Sequence, residues 1–407
     1  MDNFRKIISI IIVLTLIPFT LTGCQDTKGI ENLAYVTAIG FDIGEDNLIK
    51  VSFQFAKLTS SKQSGSPQPQ SSEIVTIDCS SFDSGLNIVN SYISKKVNLS
   101  HCKVIVFSED IAVTGILEHV NVLAADREIR PDCDVLVSKC KAKDFLENSV
   151  PALTNLTPRY YEILLNSKEY TGFSENVPLW NFFINLRNIT KEPVAILCGL
   201  NSSSTGISDT NLMDKDVNYK AGETPLTGKT ISQNMGLAVF SHDKLVGELN
   251  AIECISYLML TNNLDGCNIS VPNPFENNSI INVKLELKKK TKNNVELING
   301  SPFIESNIYL NGSITSISLN TDDSETETLS TIEEYIESYV SYNIKSLLYK
   351  TAKDFKADII GFGKNIVYDY LTIEEWKALN WSNLYKDSFF NVNVKVTINP
   401  SSLFIKD

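Results

Sequence analysis

The sequence predicts a protein of mixed β-sheets flanked by α-helices, divided into more than one domain. Three observations carry this. Strand-like and helix-like stretches alternate between residues 34 and 137, the order that lays helices against a mixed sheet. Apolar and polar residues alternate with period two at Ile49, Val51, Phe53 and Phe55, and again at Ile281, Val283, Leu285 and Leu287. A long helical periodicity from about Thr331 to Ala357 lies between strands of the second half.

The chain opens with Arg5 and Lys6, an apolar core from Ile7 to Leu16, and the sequence Leu21-Thr22-Gly23-Cys24, so residues 1–23 read as a lipoprotein signal peptide. A membrane-crossing helix needs about 20 apolar residues, and this run is shorter and is broken by Pro18. Cleavage between Gly23 and Cys24 leaves Cys24 as the new amino terminus. In lipoproteins of this pattern the sulfur carries a diacylglyceryl group and the amine an acyl chain. Each buried methylene contributes about 0.8 kcal/mol, so two or three chains anchor a protein stably where one does not. The mature protein is expected outside the cytoplasm.

Ala34 to Phe41 is the first strand, and Asp42 to Asn47 reads as a turn, rich in Gly, Asp and Asn. Residues 49–55 return as a strand, residues 59–72 form a Ser, Gln and Pro-rich loop, and Ile74 to Ile77 is a third strand. Ser80 with Asp83 suggests a capping box before a helix whose apolar face runs Phe82, Leu86, Val89, Ile93 and Val97. Lys103 to Phe107 is a buried strand. Ser108 caps a helix carrying Ile111, Gly115, Val120 and Leu123, and Asp132 to Val137 is the next strand. Residues 155–190 are helical in pattern, with an aromatic segment at Trp180, Phe182 and Phe183, before a short strand from Val194 to Leu200.

Residues 201–234 are rich in Ser, Asn, Thr, Asp and Gly and mark the domain boundary. Beyond it lie a strand–turn–strand from Gly236 to Leu249, a helix from Ala251 to Thr261, and the alternating strand at 281–288. A turn at Asn293 and Asn294 leads to a strand from Phe303 to Ser318. The long helix at 331–357 is stopped by Gly361 and Gly363. A short helix around Glu374 to Leu379 then precedes a closing strand from Phe390 to Ile398.

Removal of residues 1–23 leaves 384 of the 407 residues, and 43% hydrophobic with 21% charged residues is the composition of a globular protein. The formal charge of −12 becomes −13 once Asp2, Arg5 and Lys6 depart with the signal. Such a surface repels phosphate backbones and anionic headgroups, so nucleic acid is not an expected partner and attachment to a membrane must come from the lipid. Seven cysteines besides Cys24 are odd in number and lack CxxC spacing. They are expected mostly as buried thiols acting as small apolar side chains, with room for a single disulfide of unspecified pairing.

No catalytic constellation emerges. His101, His119 and His242 have no metal-ligand spacing with Cys102, Cys133 or Cys140, and no GxSxG elbow is present. Gly361-Phe362-Gly363 lacks the strand and third glycine of a dinucleotide site and reads as a tight turn. Asp42, Gly44 and Asp46 resemble a fragment of a calcium loop without its closing glutamate, and a solvated turn is the simpler reading. The pairs Glu333/Glu334 and Glu374/Glu375 are adjacent on helices and suit the helix dipole better than glycosidase chemistry. No cofactor is expected. The aromatic segment at Trp180 and the pair Trp376/Trp381 are expected in the core.

Four segments together resemble the Ger(x)C family, the C-subunit lipoproteins of spore nutrient-germinant receptors. They are the cleavage site followed by the strand Gly29 to Asp42, the run Leu99 to Ser108 with Arg127-Glu128-Ile129-Arg130, the run Gly236 to Gly247, and Asp358 to Gly363 with Trp376 and Trp381. Their order spans nearly the whole mature chain. A tryptophan common near the family's mature start is absent, and Asn399, Pro400 and Ser401 stand where arginine and glycine often close the domain.

The resemblance implies an α+β fold of three domains. On this chain they are an N-terminal α+β domain at 24–154, a middle region at 155–234, and a C-terminal α+β domain at 235–407. It also implies a non-enzymatic subunit on the outer face of the spore inner membrane, beside integral-membrane A- and B-type subunits, needed for germination in response to nutrients. The residues alone leave two alternatives: a solute-binding lipoprotein of a transporter, although the repeated βα units expected of it are missing, and a cell-wall hydrolase, which the missing metal and nucleophile motifs place last.

Overall fold

The computed structural model describes residues 3–8, 32–46, 48–56, 72–149, 157–201, 218–226, 228, 230–276, 279–316 and 325–399. Gly23, Cys24 and residues 59–71 of the loop expected at 59–72 lie outside them. The first strands are β1 (Leu33–Ile43), β2 (Ile49–Phe55) and β3 (Glu73–Cys79), followed by helix α1 (Phe82–Tyr92) and β4 (Lys96–Asn98). Then come β5 (Val104–Ser108), α2 (Glu109–Thr114), α3 (Leu117–Ala125), β6 (Asp134–Ser138) and α4 (Ala142–Asn148). Helices α5 (Thr157–Asn166), α6 (Lys168–Thr171) and α7 (Leu179–Asn185) lead to β7 (Val194–Leu200), β8 (Ser232–Ser241) and β9 (Lys244–Leu249).

These strands make one sheet in the order β3-β2-β1-β5-β6-β7-β8-β9, with β4 beside the start of β1. Strands β1, β5, β6 and β7 are parallel, and antiparallel hairpin strands extend both sides. The parallel strands are continuous apolar runs because helices cover both faces, and Val104, Ile105, Val106 and Phe107 are wholly buried.

The second sheet follows helix α8 (Ala251–Thr261) and contains β10 (Cys267–Pro272), β11 (Ile280–Ile298) and β12 (Ser301–Ser316). Helix α9 (Glu325–Lys350) continues through a π-turn at Thr351–Phe355. Short helices α10 (Gly363–Ile366), α11 (Ile373–Leu379) and α12 (Trp381–Tyr385) precede β13 (Phe389–Ile398), which pairs parallel with β12. Ile332, Ile336, Val340, Ile344, Leu347 and Leu348 form the buried stripe of α9, spaced at helical period, and the helix packs on β13 and α8.

The structure departs from sequence expectation at definite places. The sheets number two, and the region 155–234 forms no layer of its own among the described residues. Across the polar stretch 201–234, β7 pairs with β8, so residues 232–249 complete the first sheet. Strand β10 carries too short an alternation to have been read. The N-cap of α1 is Ser81, not Ser80, and its Oγ accepts the Ser84 N–H at 3.2 Å. Val97 leaves that helix for β4.

The helix expected after Ser108 is two helices, because Gly115 has φ of +121° and the Ile116 N–H is drawn to the Asp243 carbonyl at 3.0 Å. The Asn293–Asn294 turn is not formed. The β11–β12 turn lies instead at Asn299 and Gly300, both with positive φ, while Asn293 stays in the strand and accepts the Ser306 hydroxyl at 2.8 Å. Asp42 is no solvated turn residue. It is buried at the end of β1, where its two carboxylate oxygens accept the N–H groups of Ala142 at 2.7 Å and Lys143 at 3.0 Å, starting α4. The long helix starts before residue 331, at Glu325.

Candidate functional site

A cluster of buried polar groups lies where the two sheets meet. Here the segment after α7 reaches toward the turn that follows α9. Asp358 is 2% exposed, and burial pushes its carboxyl up against the opposing pull of its donors. One oxygen accepts the Gly361 N–H at 2.8 Å, and the other accepts the Gly363 N–H and the Trp381 indole N–H, each at 2.9 Å. This explains the glycine pair. Gly361 has φ of +88°, and a side chain at Gly363 would bring a Cβ within 2.7 Å of the Trp381 indole nitrogen.

The other wall comes from the first sheet. The Glu192 N–H donates to the Asp358 carbonyl at 2.8 Å, and the Glu192 carboxylate accepts the His242 N–H at 2.6 Å. Burial raises the Glu192 carboxyl. Neighbouring Lys191 is lowered, chiefly by burial, and its ammonium lies 5.7 Å from the Tyr257 ring. Trp376 donates its indole N–H to the Ile189 carbonyl at 3.2 Å, and its ring stacks on Trp381 at 6.2 Å. A cavity of about 320 Å³ remains, lined in part by Arg187, Lys191, Glu192, His242, Trp376 and Trp381. Glu192 and Asp358, the carboxylates in its wall, already accept backbone N–H groups, so the arrangement joins the two sheets.

The two aromatic expectations divide. Trp376 and Trp381 are buried as expected, but Trp180 is 51% exposed. Its ring stacks on Phe183 at 5.7 Å, and the Arg187 guanidinium lies 4.1 Å from that ring, forming a surface ledge on α7. The helical period could not show this, because α7 buries Leu179 and Phe182 on its opposite side.

His101 sits against Tyr35, His119 stacks on Phe41 and is lowered by burial, and His242 occupies a turn with φ of +54°. Among the described residues no three His, Cys, Asp or Glu side chains converge as a metal site. Cys79, Cys102, Cys133, Cys198, Cys254 and Cys267 are buried, and Cys140 is half-buried. Burial pushes the thiols of Cys133, Cys198 and Cys254 well above their ordinary range, which makes them poor nucleophiles. Glu128, in the Arg-Glu-Ile-Arg landmark, accepts the Leu99 N–H at 3.2 Å and so ties the segment after α3 to the end of β4.

Two family profiles match the chain in tandem. "Spore germination protein N-terminal domain" matches residues 26–199, and "Spore germination B3/GerAC like, C-terminal" matches residues 235–402. The chain belongs to the Ger(x)C family. The junction of the two Ger(x)C profiles falls between β7 and β8, which the first sheet bridges. Two relatives from Bacillus subtilis (strain 168) match along nearly their whole length. Spore germination protein YndF is 21% identical over 430 residues, covering 98% of this chain and 97% of the relative. Spore germination protein KC is 23% identical over 397 residues, covering 94% and 92%. The crystal structure of the GerBC protein shares the fold, with a TM-score of 0.53 at 15% identity over 88% of this chain and 96% of that one.

Proposed function

We propose that this Ger(x)C chain is the lipid-anchored, non-catalytic subunit of a spore nutrient-germinant receptor. It would be held through Cys24 on the outer face of the spore inner membrane, beside integral-membrane A- and B-type subunits. The observation that carries this reading is the tandem match of both family profiles across both sheets. The signal sequence ending at Gly23, directly before Cys24, supports a lipid attachment. No helix among the described residues is long and apolar enough to cross a membrane, which fits a protein that depends on such an attachment.

A non-catalytic role is favoured by chemistry. The junction carboxylates are occupied by backbone donors, and the buried cysteines with raised pKa values lack thiolate character. The test is mass spectrometry of the amino-terminal peptide from the membrane fraction of cells expressing the full chain. The reading expects a peptide beginning at Cys24 with diacylglyceryl and N-acyl groups. Recovery of the protein in the soluble fraction with an unmodified terminus would contradict it.

A further inference from the structure

The segment between α10 and α11 displays large apolar side chains to solvent. Tyr368 is 79% exposed, Leu371 94% and Ile373 61%. Single exposed apolar residues are ordinary, but three within six positions form a patch that needs an explanation.

This segment is held in place rather than left loose. The Glu375 carboxylate accepts the Leu371 N–H at 2.9 Å and the Thr372 N–H at 3.3 Å, while the Thr372 hydroxyl accepts the Glu375 N–H at 3.2 Å. Tyr370 turns inward and meets Trp376 edge to face at 5.7 Å. Trp376 in turn donates to the Ile189 carbonyl, and Ile189 is itself 45% exposed beside it. A preorganised apolar tip of this kind loses little conformational entropy when a partner covers it.

Charge decides the class of partner. Asp369 lies within the segment and Glu374 and Glu375 directly follow it, with Lys364 and Lys377 on either side of this acidic run, and the chain as a whole carries −12. An anionic bilayer surface would repel such a tip, whereas a protein recess with an apolar floor and a basic rim complements it. Building on the receptor-subunit reading above, we propose that Tyr368–Ile373 is the docking knob of this chain. Its occupant is an apolar, basic-rimmed recess on an integral-membrane subunit.

The test uses the full chain co-expressed with the integral-membrane subunits of its receptor, with a photo-crosslinking benzoylphenylalanine at position 371 or, as control, at Tyr342 on α9. The proposal expects crosslinks from 371 and not from 342 to a membrane subunit. It also expects the double variant Leu371→Ser/Ile373→Ser to lower co-purification about tenfold or more, as loss of a central apolar anchor does. Asp369→Lys/Glu374→Lys should lower it too, and all variants should melt like wild type.

Crosslinks from 371 only to lipid or to a second copy overturn the proposal. So does undiminished co-purification of the double variant, and in that case the receptor-subunit reading stands. Failure of the wild-type chain to co-purify overturns both.

Discussion

The indole N–H of Trp381 donates to the buried carboxylate of Asp358 at 2.9 Å, and this contact anchors the turn that ties the second sheet to the first. The same carboxylate organises Gly361 and Gly363, and its own backbone carbonyl receives Glu192 from the other sheet. The side chain therefore satisfies three donors within the turn, while the backbone carbonyl of the same residue joins the turn to the first sheet.

Asp358→Ala should destabilise the protein by about 2–4 kcal/mol, because two backbone N–H groups and an indole N–H lose their acceptor in a dry site. Urea unfolding followed by tryptophan fluorescence measures this, and the native emission should shift to the red as Trp381 loosens. An unchanged midpoint would show that the turn holds without its carboxylate.

Asp134 gives a pH dependence. It is 7% exposed, one of its oxygens lacks a hydrogen-bond partner, and burial raises its carboxyl to about 7. The native state thus keeps a proton that the unfolded chain releases near pH 4. This site's contribution is fully favourable below pH 4, declines as pH rises, and levels off above about 7. Asp134→Asn should therefore stabilise the protein at pH 8 by up to about 4 kcal/mol relative to its effect at pH 4. Thermal melts at the two pH values test the sign.

The free edge of β13 is closed by the long helix. The Glu337 carboxylate accepts the Val396 N–H at 3.0 Å, Glu333 accepts the Ile398 N–H at 2.7 Å, and the Ser341 hydroxyl donates to the Val392 carbonyl at 3.1 Å. Positions 333, 337 and 341 follow helical spacing, so one face of α9 caps one strand edge. Glu333→Ala/Glu337→Ala should cost about 1–3 kcal/mol and promote concentration-dependent association, since an uncapped edge invites strand pairing. Light scattering and denaturant unfolding together check both effects.

Much of this architecture was legible because its signals are local. The alternation at Ile49–Phe55 and the i, i+4 stripe from Ile332 to Leu348 each specify an element and the face it buries. What escaped depends on distant partners. Asp42 looks like a turn residue until α4 arrives a hundred residues later to use its carboxylate. Glu333 looks like a helix-dipole charge until Ile398 returns beside it. The exposed Tyr368, Leu371 and Ile373 gave no periodic signal, since their meaning lies in what fails to cover them. The glycine pair was rightly read as a turn, but only the structure supplies Asp358 and Trp381 as the reason.

The most direct test of the central claim is nutrient-triggered germination of spores lacking this chain, in a strain without another Ger(x)C gene, complemented by wild type or by Cys24→Ala. The account predicts that deletion abolishes the nutrient response, that wild type restores it, and that Cys24→Ala restores little because the body leaves the membrane. A deletion strain that germinates normally in response to nutrients would contradict it.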